Sequence, residues 1–473
     1  MGRAWVKRWS PKPPTGRGNL VPCLTIHPKA SIERMDWELP PSKSHAIRAL
    51  ALAAQCEGVT VIHGLEHAGQ DVVSMRRCLA QLGVRCTDLN ASGQPMVLDS
   101  NADHQPPPGS MSWSVQGVGV SGFRQPSSVL HAGNSGTALR FLMALCARLQ
   151  GPVMLDGDAT LRSRAYPVMF ASLEQMGLDL SYGVEEEGLP LLMKGPWKVP
   201  QTLAMDATHS SQPLSAWKIA SAAFPHPVRI ELAGEAVSRE HRRLTWKMAQ
   251  EFGCDEATDS LTLIPWTPRA GTDVHIPVDA SMLAFPMLTV IATGTSVTLP
   301  QLPSHSHSLG HDILLKCAAD LGVIVHDSTL TRGKSELTPL ELDLRDGNDL
   351  ITPLAAMMAL GGGGTIDGVA HAAHKESNRL QGTVNLLEQF GLMATVEDAV
   401  VRVPGHQTIT TPKAPVQTWG DHRMQMTALV LAQACYDEVA VVGDRLHEVA
   451  DPGAVARWQR VGVSISATLL GSS

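Results

Sequence analysis

One device recurs along this chain and limits what it can become: a helix-period run that ends in an apolar residue and a glycine, followed by a β-rich run. It is legible as MRRCLAQLGVRCTDL at Gly83, MFASLEQMGLDLSY at Gly177 and LTWKMAQEFGC at Gly253. It returns as ILLKCAADLGVIVHD at Gly322, TVNLLEQFGLMATVED at Gly391 and ARWQRVGVSISATLL at Gly462. A glycine there closes the helix in the left-handed conformation and turns the chain back for a strand at least cost. The last four glycines stand about 70 residues apart, a period that marks repeated supersecondary units. The two earlier intervals are longer and read as the same unit with insertions, among them the Pro/Gly-rich stretch 104–122. Each unit carries a second helix upstream, as in SHAIRALALAAQ and SGTALRFLMALCA. Six such units predict two α/β domains of three units each, which suits a chain of 473 residues, too long for a single core.

Composition narrows the function. A formal net charge of -7, with only 3 Tyr and 7 Phe, argues against a nucleic-acid surface and against attraction to acidic membranes. Any bound anion must therefore meet a local cluster of cations. The eight cysteines form no CxxC pair, so neither a zinc site nor a disulfide framework is suggested, and they read as small core residues. No apolar run reaches the roughly 20 residues of a membrane span. The first 18 residues hold Arg3, Lys7, Arg8, Lys12 and Arg17 without an acid, yet lack the apolar stretch of a secretory signal. A cytoplasmic protein with a basic tail is expected.

Candidate anion sites fall where a loop of small residues opens a helix, because free N–H groups and the positive end of the helix dipole gather there. In LPPSKSHAIRALALAA, Ser42 and Ser44 flank Lys43, and Arg48 follows about one turn in. In HAGNSGTALRFLMAL, Asn134 to Thr137 form the turn and Arg140 lies one turn inside. In DATHSSQPLSAWKIAS, Ser210, Ser211 and Gln212 offer uncharged donors. LDGDATLRSRAYPVM adds Arg162 and Arg164, AHKESNRLQGTVNLL adds Lys375, Glu376 and Arg379, and WGDHRMQMTALVLA adds Asp421, His422 and Arg423. Taken singly, KESNR reads as a surface salt bridge along one helix and DHR as a local cap by Asp421.

Among the acids, Asp279 precedes one apolar helix and Asp343, Asp346 and Asp349 precede another. Capping accounts for one acid at such a place; three leave at least one for acid/base work, and a carboxylate among cations can stay ionised as a base. There is no metal-binding spacing, no nucleotide P-loop and no GxGxxG. The residues lead to chemistry on a doubly anionic substrate pair, without metal or organic cofactor.

In fixed order from Pro40 to Ala428, the motifs PSKS-x3-R, GNSGT-x2-R, GD-x3-R-x-R, SSQ-x-L-S-A, D-A-S, P-L-A-A, KES-x-R-L and DHRM resemble the 5-enolpyruvylshikimate-3-phosphate synthase family. That resemblance implies a two-domain, inside-out α/β barrel of six βαβαββ units, with residues 1–40 plus 277–473 in one domain and 41–276 inserted as the other. It implies enolpyruvyl transfer from phosphoenolpyruvate to the 5-hydroxyl of shikimate 3-phosphate, by a cytoplasmic monomer that needs no cofactor. Carried over by motif, Lys43, Gly136, Thr137, Arg164, Arg379 and Arg423 would bind phosphoenolpyruvate. Ser44, Arg48, Ser210, Ser211, Gln212, Ser238, Asp349 and Lys375 would bind shikimate 3-phosphate. Asp349, Glu376 and Lys43 would be catalytic, Asp349 abstracting a proton with Asp346 as a substitute for it, and Glu376 donating one; Arg140 would support the surface. Glyphosate competes with phosphoenolpyruvate in the family, and a glycine at Gly136 goes with sensitivity.

This sequence departs from the pattern in three places. Asn378 stands for the family's aspartate, the stretch Ala165-Tyr166-Pro167 disturbs the turn after Arg164, and Val449 replaces a C-terminal lysine that helps hold phosphoenolpyruvate, with Arg445 one turn earlier as a substitute. Two other readings stay open: transfer to a different acceptor, and a non-catalytic paralogue that binds a phosphorylated ligand.

Overall fold

The computed structural model describes residues 20–471 apart from residues 30, 97–103, 184–186, 207, 209, 235–237, 272, 334–335 and the side chain of His374. The basic tail therefore lies outside the described residues. All six helix-closing glycines take positive φ, from 73° at Gly391 to 99° at Gly253. Two helices per unit follow in chain order. The first lobe holds α1 (Lys43–Ala53) and α2 (Gln70–Gln81), then α3 (Gly136–Cys146), the single turn α4 (Ala159–Arg162) and α5 (Pro167–Gln175), then α6 (Gln212–Ala220) and α7 (Arg239–Glu251). The second lobe holds α8 (Ala284–Thr293) and α9 (Ile313–Lys316), α10 (Ile351–Leu360) and α11 (Arg379–Gln389), and α12 (His422–Gln433) and α13 (Ala454–Arg460).

Each unit owns one sheet, and four of the sheets repeat a single order. In the fifth unit Leu340–Asp343 runs parallel to Gly364–Asp367, which pairs antiparallel with Val400–Val403, which pairs with Thr395–Glu397. This is the register of a βαβαββ unit, a parallel crossover followed by a hairpin. Two units depart from the expected device. After Gly253 the strand is delayed to the two residues Thr262–Leu263, because the intervening loop turns Glu256 inward onto Lys218 at 2.8 Å and Trp246 Nε1 at 3.0 Å. The helix before Gly322 is shortened to four residues and continues as turns, with Leu321 N donating to Cys317 O.

Two apolar cores form, one from Ala46 to Ile276 and one from Leu24–Leu39 with Met282–Ile465. In the first, α1, α3 and α6 pack on one another; in the second, α8, α10 and α12 do so. These central helices are apolar nearly all round, as a helix surrounded by protein must be, and α12 is buried along its whole length. Their N-termini begin at or just after residues singled out above: Lys43, Gly136 and Gln212 in one lobe, Asp279, Asp349 and His422 in the other. The chain passes between the cores twice, and the two crossings pair: Ser42 N donates to Pro277 O and Asp279 N to Pro40 O, both at 2.8 Å.

At Gly391 φ is 73° and an added Cβ would stand 2.3 Å from Thr410 Oγ1. Gly391→Ala is expected to lose at least the roughly 1–2 kcal/mol cost of a left-handed non-glycine residue, read as a lower denaturant midpoint at unchanged slope.

Candidate active site

Arg379, the first residue of α11 and 1% exposed, directs its three guanidinium nitrogens at three different carboxylates. Nε donates to Asp421 at 2.9 Å, Nη2 to Glu376 at 2.7 Å, and Nη1 to Asp349. The acids also do local work: Asp421 caps α12 by accepting from Arg423 N at 2.8 Å. Asn378 caps α11 by accepting from Gln381 N at 3.3 Å, so the exchange of aspartate for asparagine preserves the cap. Burial raises the Asp349 carboxyl, but Arg423, Arg379 and Lys375 outweigh burial and hold it well below the usual carboxylate range. Burial likewise opposes ionisation of Glu376, and Arg379 and Arg164 hold it down.

Cations from both lobes face these acids. Lys43, at the start of α1, donates to Asp71 Oδ2 at 3.1 Å. Burial works against its charge, while Asp71 and Glu376 keep it protonated. Arg164 spans the lobes, with Nη1 3.4 Å from Glu376 Oε1 and Nη2 donating to Asn134 Oδ1 at 3.1 Å. Arg423 lies 3.7 Å from Asp349 Oδ2, and its Nε and Nη1 are buried without an acceptor. Lys375 makes no ion pair among the described residues; burial lowers its ammonium, with Asp349 and Glu376 pulling the other way. Both His422 nitrogens are buried and unpartnered, and burial with Lys43 and Arg423 nearby keeps the ring neutral.

Around this centre, Arg48 has only neutral acceptors: Thr245 Oγ1 and Ser44 O at 2.8 Å and His241 O at 3.1 Å. Burial brings its guanidinium down to about 9. Arg140 donates to Gly136 O at 3.0 Å and Gln212 Oε1 at 2.7 Å, lies 4.8 Å over the Tyr166 ring, and is brought by burial to about 10. Tyr166, the departure after Arg164, donates to Leu161 O at 2.7 Å, so it closes its turn and supports Arg140. Gln212 also donates to Thr137 at 3.1 Å, locking α6 to α3. Ser210 and Ser211 border a cleft with Arg239 and Arg242, next to Ser238 in left-handed conformation at the start of α7.

Of the acids before α8 and α10, only Asp349 sits among the cations of the hub. Asp279 caps Ser281, Asp343 accepts from Arg345 N, and Asp346 accepts from Arg239 N at 2.8 Å. Arg162 turns away onto Asp156. Arg445 is 70% exposed on Glu448, so it does not substitute for the missing lysine, and Val449 lies with its carbonyl against Gly69. The sequence reading missed Asp71, Asn134 as the seat of Arg164, and His311, whose imidazole burial keeps neutral near Asp349. Asp71 in a helix's first turn carries only the signal of an ordinary helix-start acid.

Six repeated units in two lobes, with cations that outnumber the acids they meet where the lobes face each other, define a two-lobed α/β protein with a positively charged centre. A family model described as EPSP synthase (3-phosphoshikimate 1-carboxyvinyltransferase) matches residues 34–449, and the chain belongs to that family. A relative named 3-phosphoshikimate 1-carboxyvinyltransferase from Rhodopseudomonas palustris (strain HaA2) is 30% identical over 90% of this chain and 94% of its own. One of the same name from Caldivirga maquilingensis is 27% identical over 83% and 87%. The solved EPSP synthase of Acinetobacter baumannii superposes with a TM-score of 0.68 over 94% of this chain and 100% of that one; at 20% identity it shows the shared fold.

Removing Arg379 would leave three acids buried without their common counter-ion. Arg379→Ala is expected to lower stability by about 3–5 kcal/mol at neutral pH. Because Asp349 and Glu376 are depressed in the folded protein, their contribution is present above the unfolded carboxyl range and is lost only as pH falls through their folded values, well below that range. The difference in urea midpoint between wild type and variant should therefore be largest at neutral pH and narrow as pH is lowered below about 4.

Proposed function

We propose that this protein transfers the enolpyruvyl group of phosphoenolpyruvate to the 5-hydroxyl of shikimate 3-phosphate and releases phosphate. The observation that carries this reading is the surplus of cationic donors: among the described residues, Arg423 keeps two buried nitrogens without acceptors, Lys375 has no ion pair, and Arg48 has only neutral partners. Unpaired donors are costly to bury, and two multiply charged anions would satisfy them.

Lys43, Arg164 and Arg423 with Gly136 and Thr137 hold phosphoenolpyruvate. Ser44, Arg48, Lys375, Ser210, Ser211, Gln212 and Ser238 hold shikimate 3-phosphate. Arg379 serves both by keeping the acids in place. Asp349, ionised by its cations, accepts the 5-hydroxyl proton as that oxygen bonds to the central carbon of phosphoenolpyruvate. Glu376 delivers a proton to the methylene carbon, which gives a tetrahedral intermediate. Loss of phosphate and of one methyl proton then regenerates the enol ether. In the structure Glu376 is held ionised, chiefly by Arg379 and then by Arg164, so its donor role depends on the incoming anion competing for both guanidinium groups and raising its proton affinity. The cations stabilise the phosphate as it departs.

The described residues of 41–276 form one domain and those of 1–40 with 277–473 the other, closing as a monomer over both substrates to exclude water. A reducing, cytoplasmic setting suits eight free thiols, all but Cys86 buried, and no described helix is long and apolar enough to cross a membrane.

Phosphate release from the purified chain with both substrates tests the reaction. Lys43→Met is expected to cost about 100–1000-fold in turnover, the scale of losing one preorganised donor. The absent cation at Val449 favours a second reading, a phospholigand-binding protein, which no release with retained shikimate 3-phosphate binding would establish. At Gly136 a Cβ would stand 2.9 Å from Arg140 Nη1 and 3.1 Å from Arg164 Nη1. Gly136→Ala should thus displace both guanidinium groups, raising KM for phosphoenolpyruvate about tenfold, a loss of about 1.4 kcal/mol, and weakening glyphosate inhibition, with shikimate 3-phosphate affinity little changed.

A further inference from the structure

Asp346 stands three residues before the proton acceptor, and its carboxylate belongs to the other lobe's helix. Arg239 N, the first amide of α7, donates to Asp346 Oδ1 at 2.8 Å, and the Arg239 guanidinium lies 3.4 Å from Oδ2. Ser238 precedes that amide with φ 53° and makes no side-chain cap of its own, so the N-terminus of α7 is capped across the cleft. The loop carrying Asp346 is gripped from its own side as well. Gly310 lies so close that a Cβ there would be 3.0 Å from Asp346 O, and Gly347 comes within 3.8 Å of the His311 ring by the same measure. His311 meets His241 of α7 edge-on, ring centroids 6.2 Å apart. His241 O in turn accepts from Arg48.

We propose that Asp346 is a positioning residue: by capping α7 of the opposite lobe it fixes the loop that carries Asp349, so that closing the lobes and placing the base are one event. This rests on the assignment of Asp349 as proton acceptor. The geometry suits the role. Within the loop, Gly347 N donates to Leu344 O and Leu350 N to Gly347 O, both at 3.0 Å, and Asn348 bonds His371 at 2.8 Å. The segment between Asp346 and Asp349 is thus one stiff turn, and a shift at its front end carries to Asp349. The cap also places Ser238 beside the acid-bearing loop, which links the proposed phosphate contact of one substrate to the base acting on its hydroxyl.

Kinetics and amide hydrogen exchange on the full chain test this. Asp346→Ala should lower kcat about 10- to 100-fold, since a misplacement of about 1 Å can cost about 100-fold. Shikimate 3-phosphate affinity, measured by calorimetry, should change by less than about threefold, because the lost term is one of alignment. Asp346→Asn keeps an oxygen for the Arg239 amide and should recover most of the rate. Arg239→Ala keeps the backbone donor, so it should cost less, and the double variant should be no slower than Asp346→Ala alone. Amides of residues 344–350 should exchange faster in Asp346→Ala than in wild type. Wild-type kcat in Asp346→Ala, equal loss in the Ala and Asn variants, or unchanged exchange overturns the proposal. A wild type that releases no phosphate while the variant still loosens the loop sinks the assigned reaction and upholds the positioning.

Discussion

The Arg379 guanidinium holds the site together. A carboxylate buried alone would take up a proton, and several buried together would repel one another. By giving each of its nitrogens to a different acid, Arg379 ties Asp349, Glu376 and Asp421 together and helps keep the first two ionised in a place where water cannot. Asp421 then caps α12 and sets the position of Arg423, Asp349 faces the cleft, and Glu376 reaches Arg164 of the opposite lobe. With the acids gathered at one hub, Arg48, Lys375 and part of Arg423 are left without counter-ions among the described residues. A site of evenly paired salt bridges would have no attraction to spare for a substrate.

What the sequence made legible is what local physics determines. Helix-closing glycines must take positive φ in any context that turns the chain back, so their spacing exposed six units before any contact was known. Helix-opening loops of small residues located the N-termini of α1, α3 and α6 for the same reason. The hub was not legible, because its partners lie far apart in sequence. Read locally, KESNR is a surface salt bridge, and Glu376 does pair with Arg379; only the fold shows that the pair is buried and shared with Asp349 and Asp421. The three acids before α10 looked alike as a run, and were separated only by what each one touches.

The departures from the family pattern sort by the same criterion. Asn378 and Tyr166 replace groups whose work is local, a cap and a turn, and each still does that work. Val449 replaces a cation whose effect would act through space. No side chain of the adjoining turn brings a charge back, since Arg445 points to solvent on Glu448 and burial keeps the His447 imidazole neutral. On the proposed assignment, the cations left to draw phosphoenolpyruvate are Lys43, Arg164 and Arg423.

The paired crossings between the lobes have a geometric consequence. Because Ser42 bonds Pro277 and Asp279 bonds Pro40, both connections lie side by side and together form one short axis. In a rotation about that axis, displacement grows with distance from it. Lys43, the next residue after the crossing, would move little in such a rotation, whereas the contacts that bridge the lobes, Arg164 on Glu376 and Arg239 on Asp346, would open or close in proportion to their distance from it. An anion seated on Lys43 would keep its place throughout the swing, like an object held at the pin of a pair of tongs while the tips come together.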